Sequence, residues 1–389
     1  MEITYKYRIY PNAHQQVMMA QTFGCCRYVY NRALDIRKSA YESGEKVPSI
    51  NDCIKMIPQW KADLETSWLK EADSMALQQS LRDLDKAYKN FFRVPGKVGF
   101  PKFKSKRVAR QSYRTNNCAI LDNRHVKLSK LRKVKAKISR MPQGRILSAT
   151  ITQEPSGKYF ICLCCTDVVI PSLPKTDTVV GIDLGSRKLA TTSDGIMYEN
   201  PKAYRKAQKK LTRDQRRLSR KIGARKGEKA SKNYQKQRIR VARDHERIAA
   251  IRQDAAHKMT TALINENQVI VAETLRPSNM IKNHRLAKSV ADAAWGEICR
   301  QLIYKANWYG RTFVQVDAFY PSSQLCHVCG SKDATVKDLR EMWTCSVCGA
   351  HHDRDINAAK NILVEGLSML GWDTPEANAC EESVRPVCA

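Results

Sequence analysis

Four cysteines carry the most specific spacing in the chain, Cys326-x2-Cys329-x15-Cys345-x2-Cys348. Two thiolates separated by two residues close on one ion, and two such pairs complete the tetrahedron that zinc prefers. Gly330 and Gly349 each follow the second cysteine of a pair, where a tight turn needs backbone freedom. Four protein ligands leave no open position, so the spacing predicts one structural Zn2+ that braces the fold and takes no part in chemistry. His327, His351 and His352 lie among these cysteines and are expected as neighbours, not ligands. The remaining cysteines show no ligand spacing and are expected as small apolar fillers.

Three acidic positions suggest a second chemistry. Asp183 leaves the apolar run TVVGIDLG, Glu273 ends VIVAE, and Asp353-Arg354-Asp355 precedes the helical pattern DINAAKNIL. Taken singly, each is ambiguous. GIDLG also opens actin-like ATPases, although the further phosphate-binding glycine loops of those enzymes are missing downstream. Glu273 could be an ordinary acid at a strand exit, and an aspartate before a helix is a common N-cap. Together they carry more weight. Mg2+ wants carboxylate oxygens, and two such ions about 3.5–4 Å apart activate water and steady the leaving oxygen in phosphodiester cleavage. Two strand ends and a helix start can converge three carboxylates on such a pair.

The charge balance says what the substrate is. Of 389 residues, 68 are Lys or Arg and 38 are Asp or Glu, a formal net charge of +30. Repulsion on that scale opposes a compact state unless a polyanion screens it, so a nucleic-acid partner is expected. The excess is clustered, with 21 Lys+Arg against 5 Asp+Glu in residues 201–260. Many charge runs are only solvated faces, but this density exceeds what solubility needs. A hydrophobic fraction of 42% excludes wholesale disorder. No run reaches the ~18 apolar residues of a membrane span, and MEITYKYRIYPNAHQQ lacks an apolar stretch of signal-peptide length. The expected setting is the cytoplasm, without a membrane partner, where clustered cysteine pairs bind metal.

The elements that must position these residues follow from periodicity. EITYKYRIY alternates as a strand and stops at Pro11. Cys26, Tyr30, Ala33 and Leu34 share one helix face, as do Leu77, Leu81, Leu84, Tyr88 and Phe91. From GFPKFKSKR to about Asp167 the chain turns basic and strand-like, with ISRM, ILSATIT and KYFICLCC as strands, and Pro171–Pro174 reads as a linker. TVVGIDLG and QVIVAE read as buried strands, Asp194-Gly195 as a hairpin turn, and 201–260 as a long helical hairpin. Residues 294–309 read as a helix and RTFVQVDAF as a strand, while the tail after Trp372 has no periodicity and is expected to be mobile.

The segments YKYRIYPNAHQ, ALQQSLRDLDKAYKNFF, KVGFPKFKSKR, GIDLG, VIVAETL, RLAKSVADAAWGEICRQLIYKANWYG, YPSSQLCHVCG and HDRDINAAKNIL, in this order, resemble the TnpB family. Its members are transposon-encoded RNA-guided nucleases related to compact type V CRISPR effectors, and the resemblance spans nearly the whole chain. It implies a multidomain α+β and α/β fold. A wedge-type β-barrel would use 1–11 and 94–170, with a helical recognition domain at 12–93 inserted in it. A RuvC-like, ribonuclease-H-like nuclease core would span 175–320, with a basic helical insertion at about 201–265. The zinc ribbon would fill 321–350, the last RuvC-like helix 351–371 and the tail 372–389.

By motif, the implied catalytic triad is Asp183, Glu273 and the second aspartate of DRD, Asp355, all three holding catalytic Mg2+, two ions in number. The implied activity is cleavage of double-stranded DNA beside a short target-adjacent motif, guided by RNA from the transposon end. Gln78, Thr115 and Asn116 are the implied motif readers; an amide such as Gln78 can make a bidentate contact with adenine. Lys102, Lys104 and Lys106 would meet nucleic-acid phosphates. The chain departs from the family pattern at Thr274, where an Asp commonly stands, and at Gln324 and His327 in the ribbon. A monomer associated with a prokaryotic nucleoid is expected. The competing reading is an RNA-guided DNA-binding repressor that no longer cuts. Such relatives typically lose RuvC carboxylates, whereas all three positions here are acidic. A DNA-strand transposase is the third reading.

Overall fold

A computed structural model describes residues 1–106, 110–221, 230–333, 336 and 341–372. Parts of the basic stretches and the tail from residue 373, with Cys380 and Cys388, lie outside the described residues. The chain divides into two compact units, Met1–Val169 and Ile170–Ala389.

The first unit is built on a seven-stranded antiparallel sheet. Its central strand β1 (Ile3–Tyr10) buries Ile3, Tyr5, Tyr7 and Ile9, with Thr4 and Lys6 exposed and Arg8 half-buried between them. Three α-helices follow: α1 (Ala13–Glu42), α2 (Ile50–Ala62) and, after a 3-10 helix at Leu64–Glu71, α3 (Ser74–Arg93). Each starts on a side-chain cap, with capping boxes at Asn12/Gln15 and Ser49/Asp52 and the carboxylate of Asp73 at α3. The chain then returns through β2 (Gln111–Thr115), β3 (Cys118–Asp122), β4 (His125–Leu128), β5 (Arg132–Lys137), β6 (Arg145–Gln153) and β7 (Tyr159–Thr166), in the sheet order β2-β6-β7-β1-β5-β4-β3. The expected ISRM strand is absent, and the strand lies just before it. In RKVKAK, Val134 and Ala136 point inward and the cations outward, an alternation that the density of Lys and Arg hides.

The second unit opens with the meander β8 (Val179–Asp183), β9 (Lys188–Thr192) and β10 (Met197–Glu199), turning at Asp194-Gly195, where Gly195 has φ +89°. A helical hairpin follows, α4 (Ala203–Ser219) and α5 (Lys232–Glu266), closed by Leu211, Val241 and Ile248. Then come β11 (Val269–Glu273), the short α6 (Pro277–Met280) and α7 (Ala287–Ala293), α8 (Trp295–Tyr309) and β12 (Thr312–Val316). A small hairpin, β13 (Met342–Thr344) and β14 (His351–Asp353), leads into α9 (Arg354–Met369). The main sheet has the order β10-β9-β8-β11-β12, with β11 parallel to both β8 and β12.

Helix α9 packs on this sheet closely enough that two contact points must be glycine. A Cβ on Gly181 of β8 would lie 2.1 Å from the Ala359 carbonyl, and one on Gly366 would lie 2.2 Å from Val271. Helices α5 and α8 cover other core residues with Met259, Leu263, Ile298 and Leu302. Among the described residues, no helix is long and apolar enough to cross a membrane.

Candidate functional site

Strands β8 and β11 run parallel and in register, Ile182 beside Ala272, so Asp183 and Glu273 leave adjacent strand ends together. Burial and the charges of Glu273 and Asp355 push the Asp183 carboxyl well above the usual carboxylate range, and Asp183 and Glu273 are hydrogen-bonded to each other. Burial also raises Glu273, whose carboxylate accepts the backbone N–H of Leu184. The third acid comes from the helix. Asp355 is half-buried in the first turn of α9, and desolvation raises its pKa. The three sequence-predicted acids are thus brought within electrostatic reach of one another.

The two aspartates of DRD divide the work between them. Asp353 is the N-cap of α9, its Oδ1 accepting the N–H of Asp355 at 2.9 Å and of Ile356 at 3.0 Å. Asp355 carries no cap bond and is left to act on Asp183. Arg354 is the nearest counter-charge, its Nε 3.6 Å from Asp355 Oδ1. Thr274 ties β11 to β12, its N–H and Oγ1 both donating to the Val316 carbonyl at 3.2 and 2.6 Å. It therefore has a structural use of its own beside Glu273. Burial raises all three carboxyls, and the charges of Glu273 and Asp355 raise Asp183 further; carboxylate oxygens are the donors that Mg2+ takes.

The cysteines form a second cluster. The Sγ atoms of Cys326, Cys329, Cys345 and Cys348 all lie within 4.8 Å of one another, with Cys326–Cys348 at 3.6 Å and Cys329–Cys345 at 3.7 Å. A tetrahedron with zinc–sulfur bonds of about 2.3 Å has edges of roughly 3.8 Å, so the four thiols fit a zinc ion. Both knuckles repeat one pattern: the Gly330 N–H donates to the Cys326 carbonyl at 2.8 Å and the Gly349 N–H to the Cys345 carbonyl at 3.0 Å, with φ of +71° and +72°. Sequence reasoning missed Ser331, whose Oγ lies 3.0 Å from Cys329 Sγ and 3.2 Å from Cys345 Sγ. Its hydroxyl is the main cause that holds Cys345 down at about 6. His352 Nε2 sits 3.1 Å from Cys326 Sγ, and its ring packs at a tilt against Trp343.

The nucleic-acid candidates of the first unit separate by exposure. Thr115 is 1% exposed, and its hydroxyl donates to Asp73, the cap of α3. In this structure the hydroxyl is committed to the helix cap and not presented at the surface. Asn116 is exposed and accepts from Gln79 Nε2 at 3.3 Å, while Gln78 is half-exposed. Lys102, Lys104 and Lys106 are all exposed. Lys104 is pinned by both backbone groups to the Asn31 side chain and holds its ammonium 4.0 Å over the Tyr30 ring. In the second unit, Arg205, Lys209, Arg213, Arg216 and Arg220 line one exposed face of α4. No hydropathy pattern distinguishes that face from the rest of the basic stretch; only helical spacing does.

The fold is a mixed α/β multidomain one, similar to that of a compact CRISPR effector. The solved structure described as the Cas12f1-sgRNA-target DNA complex superposes with a TM-score of 0.53 at 11% identity, covering 93% of this chain and 98% of that one. The chain belongs to the TnpB family. It is 39% identical to the "Putative RNA-guided DNA endonuclease" of Streptomyces pristinaespiralis over 98% of this chain and 92% of that protein. It is 36% identical to InsQ of Escherichia coli (strain K12), over 98% and 94%. Three family descriptions match: "Helix-turn-helix domain" at residues 1–46, "Probable transposase" at 161–284, and "Cas12f1-like, TNB domain" at 295–362. The second contains Asp183 and Glu273, and the third contains the four cysteines and Asp355. Residues 1–46 themselves fold as one strand and one long helix.

Proposed function

We propose that the chain is an RNA-guided DNA endonuclease that cuts double-stranded DNA beside a short target-adjacent motif, with a guide RNA derived from the transposon end. The observation that carries the cutting reaction is the convergence of Asp183, Glu273 and Asp355 from two adjacent strand ends and a helix start. The strand order of the second unit, with its second strand antiparallel, supports a RuvC-like core over 175–320 and 351–371, and the seven-stranded antiparallel sheet supports a wedge-type barrel in 1–11 and 94–170. Residues 12–93 would be the recognition domain and 321–350 the ribbon. The protein would act as a monomer on nucleoid DNA in the cytoplasm.

Asp183, Glu273 and Asp355 would hold two Mg2+ ions, which when bound activate water and neutralise the charge that develops on the phosphate. The carboxylates fix the place of attack, and Arg354 offsets part of their charge in the metal-free state. The four cysteines would hold one structural Zn2+. Exposed cations of α4, with Lys102 and Lys106, would grip phosphates without reading sequence. Gln78 and Asn116 would read the adjacent motif, while base pairing reads the target.

A plasmid-cleavage assay with Mg2+, copurified RNA and a randomised flank, run beside a gel shift, tests this reading. Cutting at a fixed distance from one motif is expected. Wild type that shifts its target under several divalent ions and never cuts it would make the protein a guided repressor.

A further inference from the structure

We propose that Asn357 and Asn361 are positioning residues that tie the cysteine ribbon to Asp355, so that the ribbon aims a catalytic carboxylate. The proposal rests on the nuclease reading above and adds a task for the ribbon that its zinc stoichiometry does not assign.

Helix α9 has two working faces. Asp355, Ala359, Ile362, Leu363 and Gly366 follow one another at helical spacing, and the last four pack on β8, β11 and their core. Asn357 and Asn361, four residues apart, lie on the other side and are 1% and 6% exposed. Their amides are committed to the segment that carries the first knuckle. Asn357 Nδ2 donates to the Leu325 carbonyl at 2.7 Å, and its Oδ1 accepts the His327 N–H at 3.0 Å. Asn361 Nδ2 donates to the carbonyls of Ser322 and Leu325 at 2.8 and 2.7 Å. His327 Nδ1 also lies 3.0 Å from Asn357 Oδ1, and Lys360 Nζ lies 3.2 Å from His327 Nε2. An Nδ1–H facing a carbonyl oxygen leaves Nε2 as the acceptor for the ammonium, so one tautomer satisfies both contacts.

Leu325 and His327 flank Cys326, one of the four thiols. A displacement of that knuckle therefore reaches α9 through buried hydrogen bonds two residues from Asp355. On its opposite face the helix has little room to yield, because Gly181 lies against the Ala359 backbone and Gly366 against the Val271 side chain. Loss of the amides lets the first turn of α9 re-seat while the glycine contacts hold the later turns. Buried polar pairs of this kind cost far more to half-remove than they contribute as a pair.

The test uses the full chain with its copurifying RNA and three substitutions, Asn357→Ala, Asn357→Asp and Asn361→Ala. Four quantities are read: zinc content, target binding by gel shift, single-turnover cleavage, and Mn2+ binding followed by electron paramagnetic resonance. Asn357→Ala should keep its zinc and its target binding while Mn2+ affinity and cleavage each fall about 10–100-fold, the usual cost of losing a partner behind a metal ligand. Asn357→Asp keeps the His327 contacts and should recover part of both. Asn361→Ala should show a smaller loss, since His327 stays tied. Wild-type Mn2+ affinity and cleavage in Asn357→Ala would overturn the proposal, and so would zinc or target binding lost in step with cleavage. If the wild type binds Mn2+ but never cuts, lower Mn2+ affinity in Asn357→Ala still supports the strap, and only the nuclease reading fails.

Discussion

The cysteine cluster and the acidic cluster of the second unit are assembled in opposite ways. The four cysteines arrive from two short knuckles in one local segment, and their sulfurs already sit at the edge lengths of a zinc tetrahedron. The three acids arrive from β8, β11 and α9, far apart in sequence, and each has its pKa raised by burial, Asp183 also by its like-charged neighbours. The sulfurs are brought together by local turns, whereas the carboxyls are brought together only by the packing of two strands and a helix.

The contrast predicts which loss unfolds the protein. Cys329→Ser or Cys345→Ser should remove zinc and destabilise the second unit, because metal-binding energy here is folding energy, on the order of 10 kcal/mol in small zinc domains. Elemental analysis beside thermal melts checks it, and a Cys345→Ser protein that melts like wild type with full zinc would break the contrast.

Asp183→Asn, Glu273→Gln or Asp355→Asn should leave the fold and guided binding intact and abolish cleavage. Losing one ligand removes several kcal/mol of stabilisation from the transition state, which is orders of magnitude in rate. The measurement is cleavage against gel shift at equal complex concentration, and a variant that still cuts takes that residue out of the site.

Acid should affect the clusters in opposite directions. Cys345 is held at about 6, below its ordinary 9.0, so its contribution is present at high pH and is lost as pH falls through about 6. Zinc release should begin there or lower, since bound zinc holds the thiolate further. Asp183 is raised above its ordinary 3.8, so the folded state keeps a proton that the unfolded chain gives up. Stability therefore falls as pH rises above that value, by about 1.4 kcal/mol per pH unit until the folded carboxyl itself ionises. In magnesium-free buffer with zinc retained, Asp183→Asn should melt higher than wild type, with a gap that widens toward neutral pH. A constant gap would mean that neither burial nor the neighbouring acids raise the Asp183 carboxyl in the folded protein.

Legibility followed the same division. Cys-x2-Cys spacing names its ligands without any fold, and the strands ending at Asp183 and Glu273 announce themselves as apolar runs in TVVGIDLG and VIVAE. Their adjacency is invisible, because strand order is a property of the whole sheet. Ser331 was missed because a serine in a loop has no periodicity, and its role exists only when two knuckles close around it. The burial of Thr115 is equally invisible in the sequence, because it depends on the approach of Asp73 from another element. The strand Arg132–Lys137 was obscured by its cations.

The smallest effect is the sharpest test of the DRD assignment. Asp353 and Asp355 are chemically identical and two residues apart, so sequence alone leaves either one to be the ligand. The structure separates them through the backbone, since only Asp353 accepts the free N–H groups of the first turn, those of Asp355 and Ile356. Asp353→Ala should thus cost about 1 kcal/mol, the usual value of a lost N-cap, and Asp353→Asn, which keeps a capping oxygen, should recover most of it. Cleavage by Asp353→Asn should stay near wild type, because the residue supplies a carbonyl-type acceptor and not a charge. Asp355→Asn should do the reverse, leaving the melt almost unchanged while cleavage disappears. Denaturation curves and cleavage rates on the same four proteins, the two Asn variants, Asp353→Ala and wild type, decide it. If Asp353→Asn fails to cut and Asp355→Asn cuts normally, the capping bond has been mistaken for the whole of Asp353's role, and the metal belongs to the other aspartate.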